Sequence, residues 1–269
     1  MAFIQMNFFS QSLMRQVPVN IILPMDKLPA PGVPVREEKP YKTLYLLHGI
    51  FGNYTDWVNG TRIQRYAEEH DLVVVMPSGD NSFYVDQPKS NNLYGEFVGR
   101  ELVEFTRKMF PLSHKREDTF IGGLSMGGFG AMRNGLKYHE NFGCIVALSG
   151  AFYMDTIHER TNDSPIFFEK RDYAESCFGN LNEVITSDKN PKYLIQQLLK
   201  ERAEIPKIYM ACGEQDDLLD KNCDFADFLR DNGVEFTFET GSGAHEWDFW
   251  DTYIKKAIEW LPTERSIKG

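Results

Sequence analysis

Short, largely apolar β-rich runs at 43–47, 72–76, 119–124, 143–148 and 206–212 recur along this chain, with stretches of helical periodicity between them. A strand that is apolar on both faces must be covered on both. Long connections between strands return the chain to the same edge, so the pattern predicts an α/β protein with a mostly parallel sheet and helices on its two sides. A further strand is expected at 234–239, and helices at 61–70, 92–110, 126–138, 218–231 and 247–261 carry apolar residues three or four apart. The beginning departs from this rhythm: 2–9 and 16–23 are β-rich with no helix between them, which predicts an antiparallel pair at one sheet edge. Residues 26–40, rich in Pro, Lys and Glu, read as an exposed loop. The stretch 150–204 holds aromatics, charges and one helix at 191–201 but no evident strand. It reads as an insertion, a lid or cap over one end of the sheet, within a single domain spanning 1–269.

Charge and apolar run length exclude several roles. Acidic residues outnumber basic ones 39 to 29, and a net charge of −10 repels a phosphate backbone, so nucleic acid is not an expected partner. Runs such as 72–76 fall far short of the roughly 18 apolar residues a membrane span needs. Gln5, Asn7, Ser10, Gln11 and Ser12 interrupt the apolar core an export signal requires, and a cytoplasmic location is expected. The four cysteines, at 144, 177, 212 and 223, form no C-x-x-C pair and no zinc-like spacing, and read as free thiols in a reducing compartment, with disulfides the alternative that an even count leaves open.

The sharpest chemical signal is Gly123-Leu124-Ser125-Met126-Gly127, a G-x-S-x-G motif between a strand and a helix. In such an elbow the serine occupies a strained turn that lifts its hydroxyl clear of the sheet, and the flanking glycines let neighbouring backbone approach. The Met126 amide, opening the helix, faces a developing negative charge.

A serine needs a base, and six histidines compete. His70, His114, His139 and His158 lie in polar stretches and are expected to be exposed, whereas His48, before Gly49 at a strand end, is expected to fix loop geometry. His245 follows Thr240-Gly241-Ser242-Gly243-Ala244, a loop between the last strand and the last helix that can point a side chain at Ser125. The acid that holds the base is expected after the 206–212 strand, where Glu214, Asp216, Asp217 and Asp220 are candidates; Asp217 is also placed to cap the next helix. The order Ser125, Asp216, His245 is that of α/β-hydrolases. A second oxyanion-binding amide is expected at Ile50, in His48-Gly49-Ile50-Phe51-Gly52.

With these residues in place, the chain resembles the esterase D family of α/β-hydrolases, which includes S-formylglutathione hydrolases and tributyrin esterases. The likeness runs nearly end to end. It rests on Leu46-Leu47-His48-Gly49 with Gly52-Asn53-Tyr54-Thr55-Asp56-Trp57, Val74-Val75-Met76-Pro77, Gly122-Gly123-Leu124-Ser125-Met126-Gly127-Gly128, Cys212-Gly213 with Asp216, and Gly243-Ala244-His245-Glu246-Trp247. The bacterial tributyrin-esterase-like branch matches best, and it places the acid on Asp216. Asp217 departs from that branch, which has an apolar residue there.

The resemblance implies a serine carboxylesterase that cleaves short acyl esters, acetyl to butyryl, through an acyl-enzyme on Ser125, with no metal or organic cofactor. Alternatives are a feruloyl or acetylxylan type of carbohydrate esterase, an S-formylglutathione thioesterase, and a non-catalytic binding protein of the same fold. The expected partner is a small-molecule or oligosaccharide ester, and the aromatic insertion could join copies as a homo-oligomer. Trp57, Phe83, Tyr84 and Phe152, in loops at the carboxyl ends of strands, are the expected substrate-binding residues, and Tyr153, Phe167, Phe168 and Phe178 extend that aromatic set.

Overall fold

Among the described residues, 1–27 and 38–263 of a computed structural model, eight strands join in one sheet. They are Ala2–Ser10 (β1), Arg15–Leu23 (β2), Lys42–Leu47 (β3), Leu72–Pro77 (β4), Thr119–Leu124 (β5), Cys144–Leu148 (β6), Lys207–Gly213 (β7) and Phe236–Gly241 (β8). Their order across the sheet is β1-β2-β4-β3-β5-β6-β7-β8. The β1–β2 hairpin is antiparallel and lies at one edge, as expected, while every pairing from β4 to β8 is parallel.

Side-chain alternation along the strands divides the core into two layers. Tyr45, Leu47, Val73 and Val75 enter one layer, and Leu44, Leu46, Leu72, Val74 and Met76 enter the other. The second layer is covered by Ile63–Glu69 (α1), through Ile63, Tyr66 and Ala67, and by the last helix, through Phe249, Ile254, Ala257 and Ile258. The first is covered by Leu102–Met109 (α2), Met126–Lys137 (α3), Arg171–Phe178 (α4), Pro191–Glu201 (α5) and Leu219–Asp231 (α6), with Trp247–Trp260 (α7) closing the chain on the opposite face.

Three elements differ from the expected ones. In place of one helix over 92–110, Asn92–Leu93 pairs with Asp86–Gln87, and the chain turns helical at Tyr94 and passes through a wide π-type turn, Phe97–Glu101, before α2. The last strand begins at Phe236, two residues late, because the turn ending α6 runs on through Gly233 (φ 67°) to Val234, whose amide donates to the Leu229 carbonyl. The 150–204 stretch contains α5 as expected but also α4, whose buried face of Ala174, Cys177 and Phe178 is too short to stand out as a periodicity. The expected loop 26–40 lies largely, at 28–37, outside the described residues.

Of the histidines expected to be exposed, His70 is buried, its Nδ1 2.8 Å from Thr263 Oγ1, and His139 and His158 are half-buried. His114 is exposed. The cysteines are free thiols, buried at 144, 177 and 212.

Candidate active site

β5 ends against α3, and the single residue between them, Ser125, has φ 54° and ψ −118°. That region is costly for a residue with a Cβ, by about 1–3 kcal/mol, and persists only where surrounding contacts hold it. Here the Ser125 amide donates to the Leu148 carbonyl (2.9 Å), and its carbonyl accepts from Phe129 (3.0 Å) and Ala151 (3.1 Å). The turn is tight enough to demand both motif glycines. A Cβ on Gly123 would lie 2.4 Å from the Gly127 carbonyl oxygen, and one on Gly127 2.5 Å from that of His48.

The three residues expected to act together meet at this turn. His245 Nε2 lies 3.0 Å from Ser125 Oγ, and its Nδ1 lies 3.0 and 3.1 Å from the two carboxylate oxygens of Asp216. Nδ1–H donating to Asp216 leaves Nε2 free to accept the serine proton. Burial pushes the Asp216 carboxyl up, but bonds from His245, the Leu218 amide and the Ser149 hydroxyl outweigh it and hold the group below its ordinary value. Of the other acid candidates, Glu214, Asp217 and Asp220 are exposed, and it is Asp216, not Asp217, that accepts from the Leu218 amide (2.8 Å) at the start of α6.

Two amides are the candidates for binding an oxyanion. Met126 is the first residue of α3, where the N–H has no intrahelical acceptor and the helix dipole is positive. Ile50 lies in the loop after β3, its amide has no hydrogen-bond partner among the described residues, and both residues line the same cavity as Ser125. His48 shapes this loop as expected. Its Nδ1–H donates to the Gly49 carbonyl (2.6 Å) and its Nε2 accepts from the Gly79 amide (2.8 Å). Burial pushes its imidazole below its ordinary value, in keeping with a neutral ring that must accept at Nε2.

The cavity has a volume of about 820 Å³. Of the four aromatic residues expected to bind substrate, Phe83 lines it, and the other three require correction. Trp57 is buried beneath the loop, donating from Nε1 to the Leu47 carbonyl (3.0 Å). Tyr84 donates its hydroxyl to the His48 carbonyl (3.0 Å), and Phe152 stacks on Phe225 of α6 at 4.3 Å. Each fills core because its side chain has a partner that removes it from water: a backbone carbonyl for Trp57 and Tyr84, a ring for Phe152. Phe168 lines the cavity, whereas Phe167 packs on Phe51 and Phe178 on Phe83 behind the wall.

Of the wall residues, Tyr153 and Phe168 belong to the aromatic stretches expected from the sequence, whereas Ile166, Glu169, Trp247 and Trp250 were not singled out as pocket residues. Tyr153, Ile166, Phe168 and Glu169 come from the 150–204 stretch, and Trp247 and Trp250 from α7. Trp250 sits edge-on to the His245 ring, centroids 4.9 Å apart, and donates to Ser149 Oγ (3.1 Å). Asp56, Glu169, Asp217 and Glu246 place carboxylates around the cavity, and no Lys or Arg lines it among the described residues. No group of three or more His, Cys, Asp or Glu among the described residues could hold a metal ion.

Comparison with known proteins agrees with this architecture. The Esterase family model, described as “putative esterase”, matches residues 10–261. An acetyl esterase of Caldicellulosiruptor saccharolyticus is 46% identical over 261 residues, covering 97% of this chain and 98% of that one. The substrate-bound structure of the fluorophosphonate-binding serine hydrolase F of Staphylococcus aureus superposes with a TM-score of 0.84 at 35% identity, over 97% of this chain and 98% of that one. An S-formylglutathione hydrolase from the same organism gives 0.81 at 36% identity over the same shares. The chain therefore belongs to the esterase family, as a serine carboxylesterase of the α/β-hydrolase fold.

Proposed function

We propose that this protein hydrolyses short-chain acyl esters, acetyl to butyryl, through an acyl-enzyme on Ser125. The observation that carries the reading is the unbroken line from Ser125 Oγ through His245 to Asp216, with contacts of 3.0 Å on each side of the ring. Ser125 Oγ attacks the ester carbonyl as His245 Nε2 takes its proton. Asp216 holds the ring orientation and stabilises the imidazolium, and the amides of Ile50 and Met126 receive the oxyanion. His245 then returns the proton to the departing alcohol, and water, deprotonated by the same ring, releases the acid. The 46% identity to an acetyl esterase supports the short acyl group.

Hydrolysis of S-formylglutathione is the second reading, favoured by the 36% identical structure of that name. Against it stand the four wall carboxylates and the absence of Lys or Arg from the described lining, which oppose a thiol ester bearing carboxylates. Carbohydrate-borne acetyl or feruloyl esters, being uncharged at the ester end, meet no such opposition. Residues 150–204 act in this reading as a wall of the pocket rather than as a separate domain. Three buried free thiols suit the reducing cytoplasm, where we place the protein.

The test is a hydrolysis panel of p-nitrophenyl acetate, butyrate and octanoate, methyl ferulate, acetylated xylo-oligosaccharide and S-formylglutathione, with Ser125→Ala beside the wild type. Acetate and butyrate are expected to give the highest kcat/KM, and Ser125→Ala to lose about four orders of magnitude or more. A higher kcat/KM on S-formylglutathione than on the acetate would transfer the reading to the thioesterase. Silence of the wild type on every ester would end it.

A further inference from the structure

We propose that Asn81 is a positioning residue for the oxyanion-binding amide of Ile50, and that α4 sets Asn81 in place. The inference rests on the esterase reading above and deepens it. In the 48–52 loop the backbone groups beside Ile50 are tied down. The His48 carbonyl accepts from the Tyr84 hydroxyl, and the Gly49 carbonyl accepts from His48 Nδ1–H and from the Gly52 amide (3.3 Å). The Phe51 amide donates to Asn81 Oδ1 at 2.8 Å. The Ile50 amide, beside it, has no hydrogen-bond partner among the described residues, and Ile50 lines the cavity with Ser125.

Phe51 makes this arrangement improbable without help. Its φ is 69°, a left-handed conformation that a bulky side chain rarely adopts and that no glycine relieves at this position. Its amide, one peptide unit beyond that of Ile50, is held off the cavity by the single acceptor on Asn81. Removing that acceptor frees the Phe51 peptide to relax toward ordinary φ, and the Ile50 peptide, one bond away, rotates with it. A donor displaced by a fraction of an ångström from an oxyanion loses much of its effect.

Asn81 in turn sits in a strained loop, with positive φ at Asp80 (45°), Phe83 (55°) and Tyr84 (54°). Its own carbonyl is fixed from outside the loop, accepting from the Tyr173 hydroxyl at 2.8 Å and from the Cys177 thiol at 3.5 Å. Both donors lie on α4, and α4 is anchored through Phe178, whose ring packs on Phe83 (5.2 Å) and on Phe129 of α3 (5.9 Å). The 150–204 stretch thus reaches the reacting centre by a route separate from its wall residues: α4 to Asn81, Asn81 to Phe51, Phe51 to Ile50.

The experiment measures kcat and KM on p-nitrophenyl acetate, and inhibition by an alkyl trifluoromethyl ketone, whose serine adduct carries an oxyanion. The proteins are wild type, Asn81→Leu, Asn81→Asp, Tyr173→Phe and the Asn81→Leu/Tyr173→Phe double variant. Asn81→Leu is expected to lose about tenfold in kcat with KM nearly unchanged, and to weaken the ketone by the same factor. Asn81→Asp, which keeps an acceptor at the same place, restores most of both losses. Tyr173→Phe shows a smaller loss of the same kind, and the double variant is no slower than Asn81→Leu alone, because Tyr173 acts through Asn81. Wild-type kcat and ketone affinity in Asn81→Leu, or no rescue by Asn81→Asp, overturns the proposal while leaving the esterase reading intact. A wild type inactive on esters overturns both.

Discussion

Ser125, His245 and Asp216 come from three separate loops, yet each is held by contacts that leave little freedom. Asp216 makes the case most clearly, because its carboxylate serves two neighbours, the His245 ring and the Leu218 amide that opens α6. Its depressed proton affinity keeps it ionised wherever the enzyme would work. Stability from this group is present above its ordinary value of 3.8 and is lost as pH falls through the lower folded value. Asp216→Asn keeps the shape but presents an amide to Nδ1. The variant is expected to fold and to lose about 10⁴-fold in kcat, checked by steady-state kinetics beside a thermal melt.

At the scale of elements, the wide turn before α2 ties the hairpin edge of the sheet to the body. Glu101 in that turn accepts from Ser10 Oγ (2.7 Å) and from the Gln11 and Ser12 amides, so one carboxylate closes the β1–β2 turn. Burial raises its proton affinity, but these bonds prevail and lower it below the ordinary 4.5. Glu101→Gln is expected to cost about 1.5 kcal/mol at neutral pH, the low end for hydrogen bonds to a charged but partly solvated group. The sign follows from the depressed folded value: the wild-type advantage is full above pH 4.5 and is lost as pH falls from there through the lower folded value. Thermal melts of both proteins at pH 7 and at pH 3.5 check this, the gap in Tm being expected to narrow at the lower pH.

At the scale of the whole molecule, the 150–204 stretch must stay fixed to the sheet for its residues to wall the pocket. A buried cation does much of this. Arg133 on α3, with no exposed side-chain surface, donates through its guanidinium to the Asp188 carboxylate (2.6 Å) and carbonyl (2.9 Å) and lies 3.6 Å from Asp86. Lys137 adds a second contact to each carboxylate. Burial pushes the Asp188 carboxyl up, and Arg133 and Lys137 more than reverse it. Arg133→Met leaves two carboxylates to one lysine and is expected to cost about 2–3 kcal/mol, below the range for a fully buried pair because Asp188 is partly solvated and Lys137 remains. The readout is a lowered Tm by calorimetry, together with faster proteolysis within 150–204.

Much of this protein was legible in its chain. The two-sided apolar strands could only form a covered, mostly parallel sheet. The G-x-S-x-G motif at a strand end could only make a turn in which Ser125 has positive φ, because backbone passes where any side chain on Gly123 or Gly127 would lie. Local spacing carries such information, since strand period and turn sterics act over a few residues. What it could not carry was the fate of side chains whose partners are distant in sequence. Trp57 and Tyr84 look like pocket aromatics but bond to backbone carbonyls 10 and 36 residues away. The pocket wall at Tyr153, Phe168 and Trp250 and the link from Tyr173 to Asn81 depend on how the 150–204 stretch and α7 fold back over the sheet. The chain by itself determined the sheet, the elbow and the order of the chemical groups. Only the tertiary structure decided which of many similar aromatics and carboxylates face the serine, because that is settled by packing between segments that no local pattern connects.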